Sequence, residues 1–355
     1  MKSAKPDIDF SALVCPTPIR EHEQILLGHG SGGRLTEELV RKLFLPAFNN
    51  EQLARLNDQA VLEINGVRLA FTTDSFVVTP LFFPGGDIGK LAINGTVNDI
   101  AMSGARPLFV AAAFILEEGV EMQELSRVVV SMRDAAQAAG IQVVTGDTKV
   151  VNRGKGDKIF ITTTGIGVLD TALNISANRA RAGDKIIVSG TIGDHGTAIL
   201  SCRENLTFEG SIESDTAALH TLVAALLPAG DAIHCLRDPT RGGLATTLNE
   251  LAGASGVGFE IDEAAIPISD STRGACETLG LDPLYVANEG KLIAVVAADQ
   301  AGNVLEAMLQ HPLGRNARVI GEAVARHPGM VVLKTEIGGT RVVDVLLGEL
   351  LPRIC

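Results

Sequence analysis

Tryptophan is absent from the 355-residue sequence, tyrosine occurs once, and aromatic residues make up only 4%. Stacking platforms for unpaired bases are hard to build from so few rings. A cationic surplus is missing too: 30 Lys and Arg stand against 42 Asp and Glu, a formal net charge of -12. Such a balance repels a phosphate backbone, so nucleic acid is not an expected partner. One anionic ligand remains compatible with it where metal ions are held locally. No run of about 18 apolar residues occurs, so no membrane span is expected. The five cysteines, Cys15, Cys202, Cys235, Cys276 and Cys355, are odd in number and none is spaced CxxC. That argues against a disulfide framework and a closed zinc site. The histidines show no HxxxH or HExxH spacing. Residues 1–26 lack the basic start and apolar stretch of a signal peptide. They are expected to be a flexible extension, and the compartment is expected to be cytoplasmic.

What is present is an ordinary globular balance, with 46% hydrophobic and 20% charged residues, in a length that suggests two domains. The Gly-rich segment 28–33 (GHGSGG) precedes an amphipathic helix with Leu35, Leu39, Leu43 and Phe44 on one side. Strands are predicted at 67–73, 108–116, 141–151 and 159–169, and helices at 88–102 and 122–139. A polar break at 170–183 marks the domain boundary. Beyond it the pattern predicts a strand at 185–189, helices near 195–204, 214–227 and 242–254, and a strand at 257–261. A helix at 270–279, a strand at 291–298, a helix at 300–310 and a strand at 318–325 complete it. Both halves therefore read as α+β or α/β. Pro352 stops any helix, so the last residues are expected to form an extended, movable tail.

Four aspartates share similar surroundings: Asp74 in FTTDS, Asp99 in GTVND, Asp147 in TGDTK and Asp238 in LRDPTRGG. Asp74 and Asp147 read as strand ends, and Asp99 as part of a buried helix. Any one of them alone is most simply a turn or helix cap. Together, with Gly or Thr close by, they suit Mg²⁺ held jointly with phosphate oxygens. The backbone of Gly30, Ser31, Gly32 and Gly33 before a helix can cradle phosphates, although Gly runs are more often plain turns. The segment around His195 (SGTIGDHG) lacks the Gly-Lys-Ser/Thr ending of a phosphate loop. It reads as a strand-to-helix turn, with His195 as a helix-start residue. Lys149 follows Asp147 by two residues, so on a strand both face one side. Glu289, in ANEGK, is a surface turn residue or an acid/base group. The prenylation pattern places cysteine four from the end, whereas Cys355 is last. An exposed thiol on a movable tail is a reachable nucleophile. Cys202, Cys235 and Cys276 read as core residues.

Together, GHGSGG, TTDS, GTVNDIAMSGA, VTGDTKVV, SGTIGDHG, LRDPTRGG, NEGK and the terminal PRIC resemble the HypE family of hydrogenase-maturation carbamoyl dehydratases, from about Leu27 to Cys355. That family belongs to a superfamily with aminoimidazole ribonucleotide synthetase, selenophosphate synthetase and thiamine-monophosphate kinase. The resemblance implies an ATP-binding, dimerising N-terminal domain (27–170), a C-terminal α/β domain (171–345) and a mobile tail (346–355) carrying Cys355. It implies a homodimer paired through the N-terminal sheet, with ATP in the cleft where those domains meet. Gly30, Ser31, Gly32, Gly33, Asp74, Asp99, Asp147 and Thr148 would bind ATP, and Asp74, Asp99, Asp147 and Asp238 would hold Mg²⁺. The carbamoyltransferase HypF would load a carbamoyl group onto Cys355. ATP would activate the amide oxygen, loss of phosphate would leave a thiocyanate, and the cyano group would pass to iron on HypC–HypD. Glu289 and Lys149 are the candidate proton acceptors. Two other readings stay open. One is a small-molecule phosphotransferase or synthetase of the same superfamily, although no cysteine adjoins the glycine loop as in selenophosphate synthetases. The other is a non-catalytic scaffold delivering Cys355.

Overall fold

The computed structural model describes residues 23–169, 173–206, 208, 210–346, 348, 351 and 353–355. Most of the expected N-terminal extension, with Cys15, lies outside the described residues, as do Leu350 and Pro352 of the tail.

The first sheet is built from β1 (Ala60–Ile64), β2 (Val67–Phe76), β5 (Arg106–Glu117), β6 (Gln142–Val151) and β7 (Ile159–Leu169), in the order β1-β2-β7-β5-β6. Between β2 and β5 lies a small ribbon of β3 (Phe82–Phe83) and β4 (Gly86–Asp87). Asn65 and Gly66, both with positive φ, close the β1–β2 hairpin, the two-residue turn whose twist matches its strands. β5 and β6 run parallel, joined by α4 (Met122–Ala138); the other pairs are antiparallel.

Ahead of this sheet, α1 (Arg34–Leu39) runs through a π-helical turn, Val40–Phe44, into α2 (Leu45–Phe48). The long helix α3 (Ile88–Ala101) is capped by Asp87, whose Oδ1 accepts from the amides of Gly89 and Lys90. It is apolar nearly all round because it is covered on two sides. Ile88, Leu91 and Ile93 pack in the core of the first sheet, while Ala101 and Met102 join the core of the second half.

The second sheet has the order β14-β13-β10-β12-β8-β11-β9. Its strands are β8 (Lys185–Val188), β9 (Ile233–Arg237), β10 (Gly258–Asp262), β11 (Ile293–Val296), β12 (Arg318–Val324), β13 (Val331–Lys334) and β14 (Thr340–Val343). The helices are α5 (Asp194–Arg203), α6 (His220–Leu226), α7 (Gly243–Ser255), α8 (Asp270–Leu279) and α9 (Ala301–Gln310). β8 reads as an unbroken apolar run because both of its faces are covered. Ile186 and Val188 pack with Leu244 and Leu248 of α7, and Ile187 packs with Leu222 of α6 and Met308 of α9.

Two sequence expectations are corrected. The helix expected at 214–227 forms only from His220 to Leu226. Ahead of it the backbone of Ala217 and Leu219 bonds instead to the side chain of Asn98 on α3, which keeps these residues out of the helix. Neither Asp74 nor Asp147 ends a strand. β2 continues to Phe76, and Asp147 lies in the middle of β6.

Candidate active site

The alternation of β2 turns Ala70, Thr72 and Phe76 toward α3, and Asp74 stands on that same face. Asp99 projects from α3 to meet it. Its Oδ2 lies 2.7 Å from the Thr72 hydroxyl, which is 2.9 Å from the Asp58 carbonyl oxygen. Asp238 arrives just after β9. Carboxylate oxygens of Asp58, Asp99 and Asp238 lie within 4.8 Å of one another, and Asp74 stands close enough to Asp99 to act on its charge. Burial pushes all four acids upward; repulsion from their acidic neighbours adds to it for Asp58, Asp99 and Asp238, while Arg241 opposes it at Asp74. For Asp58 the rise is from 3.8 to about 6, against the opposing pull of Arg237. Carboxylates crowded this closely out of water need protons or a cation. An all-oxygen donor set of this kind fits Mg²⁺ held together with phosphate oxygens.

Glu289 is buried, at 3% exposure, so the surface-turn alternative does not describe it. Two backbone contacts fix it, one of them to an ion-paired aspartate. Its amide donates to Asp215 Oδ1 at 3.0 Å, its carbonyl accepts from Asn98 Nδ2 at 3.2 Å, and Asp215 is itself paired with Lys291 at 2.9 Å. A Cβ on Gly290 would collide with the Asp215 carbonyl oxygen, so the residue after Glu289 has to be glycine. Glu289 Oε1 has no hydrogen-bond partner among the described residues. Burial raises its carboxyl well above the usual range, with Asp238, Asp215 and Asp74 adding to the effect.

The tail brings Cys355 into this group. Val77 N donates to Cys355 O at 2.9 Å and Thr79 N to Arg353 O at 3.2 Å, extending β2 by a short paired segment. Leu351 and Cys355 pack against the core under the first sheet. A cavity of about 260 Å³ is lined by Cys355, Ser75, Arg241, Gly30, Ser31 and Tyr285, among others. Burial pushes the Cys355 thiol up to about 12; Arg241 opposes this, and Glu289 and Asp74 reinforce it. The thiol is therefore kept protonated and unreactive while docked.

The glycine segment borders the same cavity. Gly32 has φ +76, and a Cβ there would meet the Arg241 carbonyl oxygen at 2.7 Å. Two of its neighbouring amides are engaged internally: Gly32 N donates to Thr36 Oγ1 and Arg34 N to the Leu346 carbonyl. Ser31 Oγ also reaches Gly348 O at 3.3 Å. The base of the tail thus lies across this loop.

Asp147, Thr148 and Lys149 are not brought into the group. In register across the sheet, Asp147 aligns with Ala113, Thr162 and then Ser75. Three strand spacings of about 4.8 Å put it roughly 14 Å from β2. It lies on the open face, paired with Lys149 at 2.8 Å and exposed. Sequence reasoning missed Asp58, Arg237 and Arg241. The two arginines flank Asp238 in the RDPTR motif, and that was their only signal. Asp58 sits in an aperiodic stretch before β1 and carried none.

The AIR synthase related protein N-terminal domain family matches residues 56–169, and the corresponding C-terminal domain family matches residues 181–334. A carbamoyl dehydratase HypE from Azotobacter vinelandii is 59% identical over 92% of this chain and 96% of that protein. The chain belongs to the HypE family of carbamoyl dehydratases. Among solved structures, a chain of a HypE–HypF complex superimposes with a TM-score of 0.83 at 49% identity, covering 87% of this chain and 99% of that one. A hydrogenase maturation protein HypE in complex with ATP gives 0.79 at 51% identity, covering 94% and 100%. The two-domain aminoimidazole ribonucleotide synthetase-like fold and the family read from the motifs both hold.

Proposed function

We propose that this chain uses ATP to dehydrate a carbamoyl group on Cys355 to a thiocyanate, the source of the cyanide ligand on the iron of nickel–iron hydrogenase. The observation that carries the reading is the seating of Cys355 beside Glu289, Arg241 and Asp74 in one buried group. The 51% identical HypE solved in complex with ATP supports the nucleotide.

The chemistry balances as S-carbamoyl plus ATP giving S-cyano plus ADP and phosphate. An amide oxygen is a poor leaving group until it carries a phosphoryl group. As it departs, two protons must leave the nitrogen. Glu289, beside the thiol, is the first candidate to accept one of them. Arg241 offers a fixed positive charge to the oxygen that becomes negative. Asp58, Asp99 and Asp238, with Asp74 behind Asp99, would hold Mg²⁺, which supplies charge neutralisation for phosphoryl transfer. Gly30, Ser31, Gly32 and Gly33 would meet the nucleotide once the tail base lifts from them.

In the same reading a second copy covers the open face of the first sheet. Phe71, Phe109, Ile115 and Ile166 are exposed there, and an apolar sheet face of this size calls for a partner. A homodimer formed through it gives Asp147, Thr148 and Lys149 a role at the shared cleft. Residues 27–170 then serve ATP binding and dimerisation, 171–345 complete the cleft, and 346–355 move between it and the partners. HypF loads Cys355 and HypC–HypD receives the cyano group, in the cytoplasm. The HypE–HypF complex supports the first partner.

Incubation with the carbamoyltransferase, carbamoyl phosphate and ATP should add a carbamoyl group to the C-terminal peptide and then remove the mass of one water. Mass spectrometry reads both steps. A label that still enters Cys355→Ala would name another carrier and overturn the reading.

A further inference from the structure

His195 is fully buried at the start of α5, and the chemistry above makes no use of it. Its Nδ1 lies 2.7 Å from Ser214 Oγ and its Nε2 lies 2.7 Å from the carbonyl oxygen of Ile354. The proton positions follow from the partners. The Ile354 carbonyl oxygen can only accept, so the hydrogen of the neutral ring sits on Nε2, and Nδ1 accepts from Ser214 Oγ, which itself accepts from Thr216 N at 3.2 Å. Burial lowers the His195 pKa, which keeps the ring neutral and this chain of donors in order. The edge of the ring contacts Phe83, which holds its plane.

The Ile354 carbonyl has a particular place in the tail. The tail meets the end of β2 at a single bridge, Val78 with Ile354, just after a left-handed bend at Arg353, and across that bridge successive carbonyls point to opposite edges. Those of Arg353 and Cys355 face β2 and are taken by Thr79 N and Val77 N. The carbonyl between them faces the second half of the molecule, where His195 waits. Ile354 is buried, so without His195 this oxygen would dock with no partner. A shift of one residue along the strand would offer His195 the wrong edge and turn the thiol to the other face.

We propose that His195 is the tail-binding residue that fixes the register in which Cys355 enters the site, by clamping the Ile354 carbonyl from the edge opposite β2. The clamp reads main chain, so it measures position along the tail rather than side-chain identity. His195 touches the substrate-bearing segment but not the reacting atoms.

The test uses the full-length chain and the rate at which iodoacetamide alkylates Cys355, read by mass spectrometry of the C-terminal peptide. Docking leaves this thiol only partly exposed, at the wall of the cavity, so alkylation rises with the undocked fraction. His195→Leu should alkylate about tenfold faster, the factor that accompanies loss of one buried hydrogen-bond partner. His195→Gln, which restores an N–H donor, should stay within about twofold of the parent by the same reasoning. Ser214→Ala should fall between them. A purely structural role for His195 would instead lower thermal stability in all three without this ordering. An alkylation rate for His195→Leu equal to the parent overturns the clamp, as does a Gln variant as fast as the Leu variant. If His195→Leu does not fold, an unchanged rate in Ser214→Ala overturns it instead. The alkylation readout needs no carbamoyl chemistry, so its failure is separable from failure of the proposed activity.

Discussion

Arg237 Nε lies 2.7 Å from Asp58 Oδ1, and its Nη2 lies 2.9 Å from Glu250. The arginine thus spans from the acidic cluster to α7. It steadies Asp58 by an ion pair and leaves the oxygens of Asp99 and Asp238 beside it. If Asp58 is a ligand, Asp58→Asn should weaken Mg-ATP binding at least about tenfold, as loss of one charged oxygen ligand warrants. Calorimetric titration measures this directly. An affinity equal to the parent in Asp58→Asn, with Asp99→Asn impaired, would reduce Asp58 to a structural partner of Arg237.

Glu289→Gln keeps the volume and both backbone contacts while removing the proton acceptor. Loading of Cys355 and ATP binding should persist. Dehydration should fall by about 10²–10⁴, the usual range for a general base. Mass spectrometry should then find the carbamoylated tail accumulating. Thiocyanate formed at the parental rate would pass the role to Lys149, which reaches the cleft only if a second copy supplies it.

The fourteen residues of α3 were legible because an apolar helical run with Asp99 inside it has few alternatives, and its limits fell within a residue of those expected. The pairing of Asp147 with Lys149 followed from the two-residue period of a strand. Other features depended on contacts far along the chain. His195 meets a carbonyl 159 positions away, and Arg237 meets the Leu56 carbonyl 181 positions away. No local pattern carries such information. The segment 214–219 misled because its helix-compatible composition is overridden by Asn98. The exposure of β6 was invisible because VTGDTKVV is apolar enough to read as covered, whereas among the described residues nothing covers it.

The open sheet face gives a direct test of assembly. Phe109→Glu places a charge in its middle, where Phe109 pairs in register with Ile166 and Gln142. Light scattering should report about twice 37.2 kDa for the parent and one chain mass for the variant. ATP turnover should fall with it if Asp147 and Lys149 act in a cleft that two copies share. A variant that is monomeric and fully active would separate this face from catalysis.

Asp58 gains protons on folding, since its carboxyl rises from 3.8 to about 6. Its contribution to stability is therefore fully present below 3.8 and is lost as pH climbs through about 6. Mg²⁺ needs the ionised form, so its stabilising effect should grow across the same interval. Melting curves with and without Mg²⁺ at about pH 4.5 and about pH 7.5 lie on either side of the raised value. An equal Mg²⁺ increment at both values would remove the cluster from consideration as the metal site.

The four crowded carboxylates also bear on how this protein could be altered. Replacing Asp58, Asp99 or Asp238 by Asn relieves repulsion among the carboxylates, and removes the oxygen charge that a metal ion would need. A library screened only for survival of heating would enrich such replacements. Its winners would be robust folds without turnover, so breeding a hardier version requires a screen that scores activity in every round.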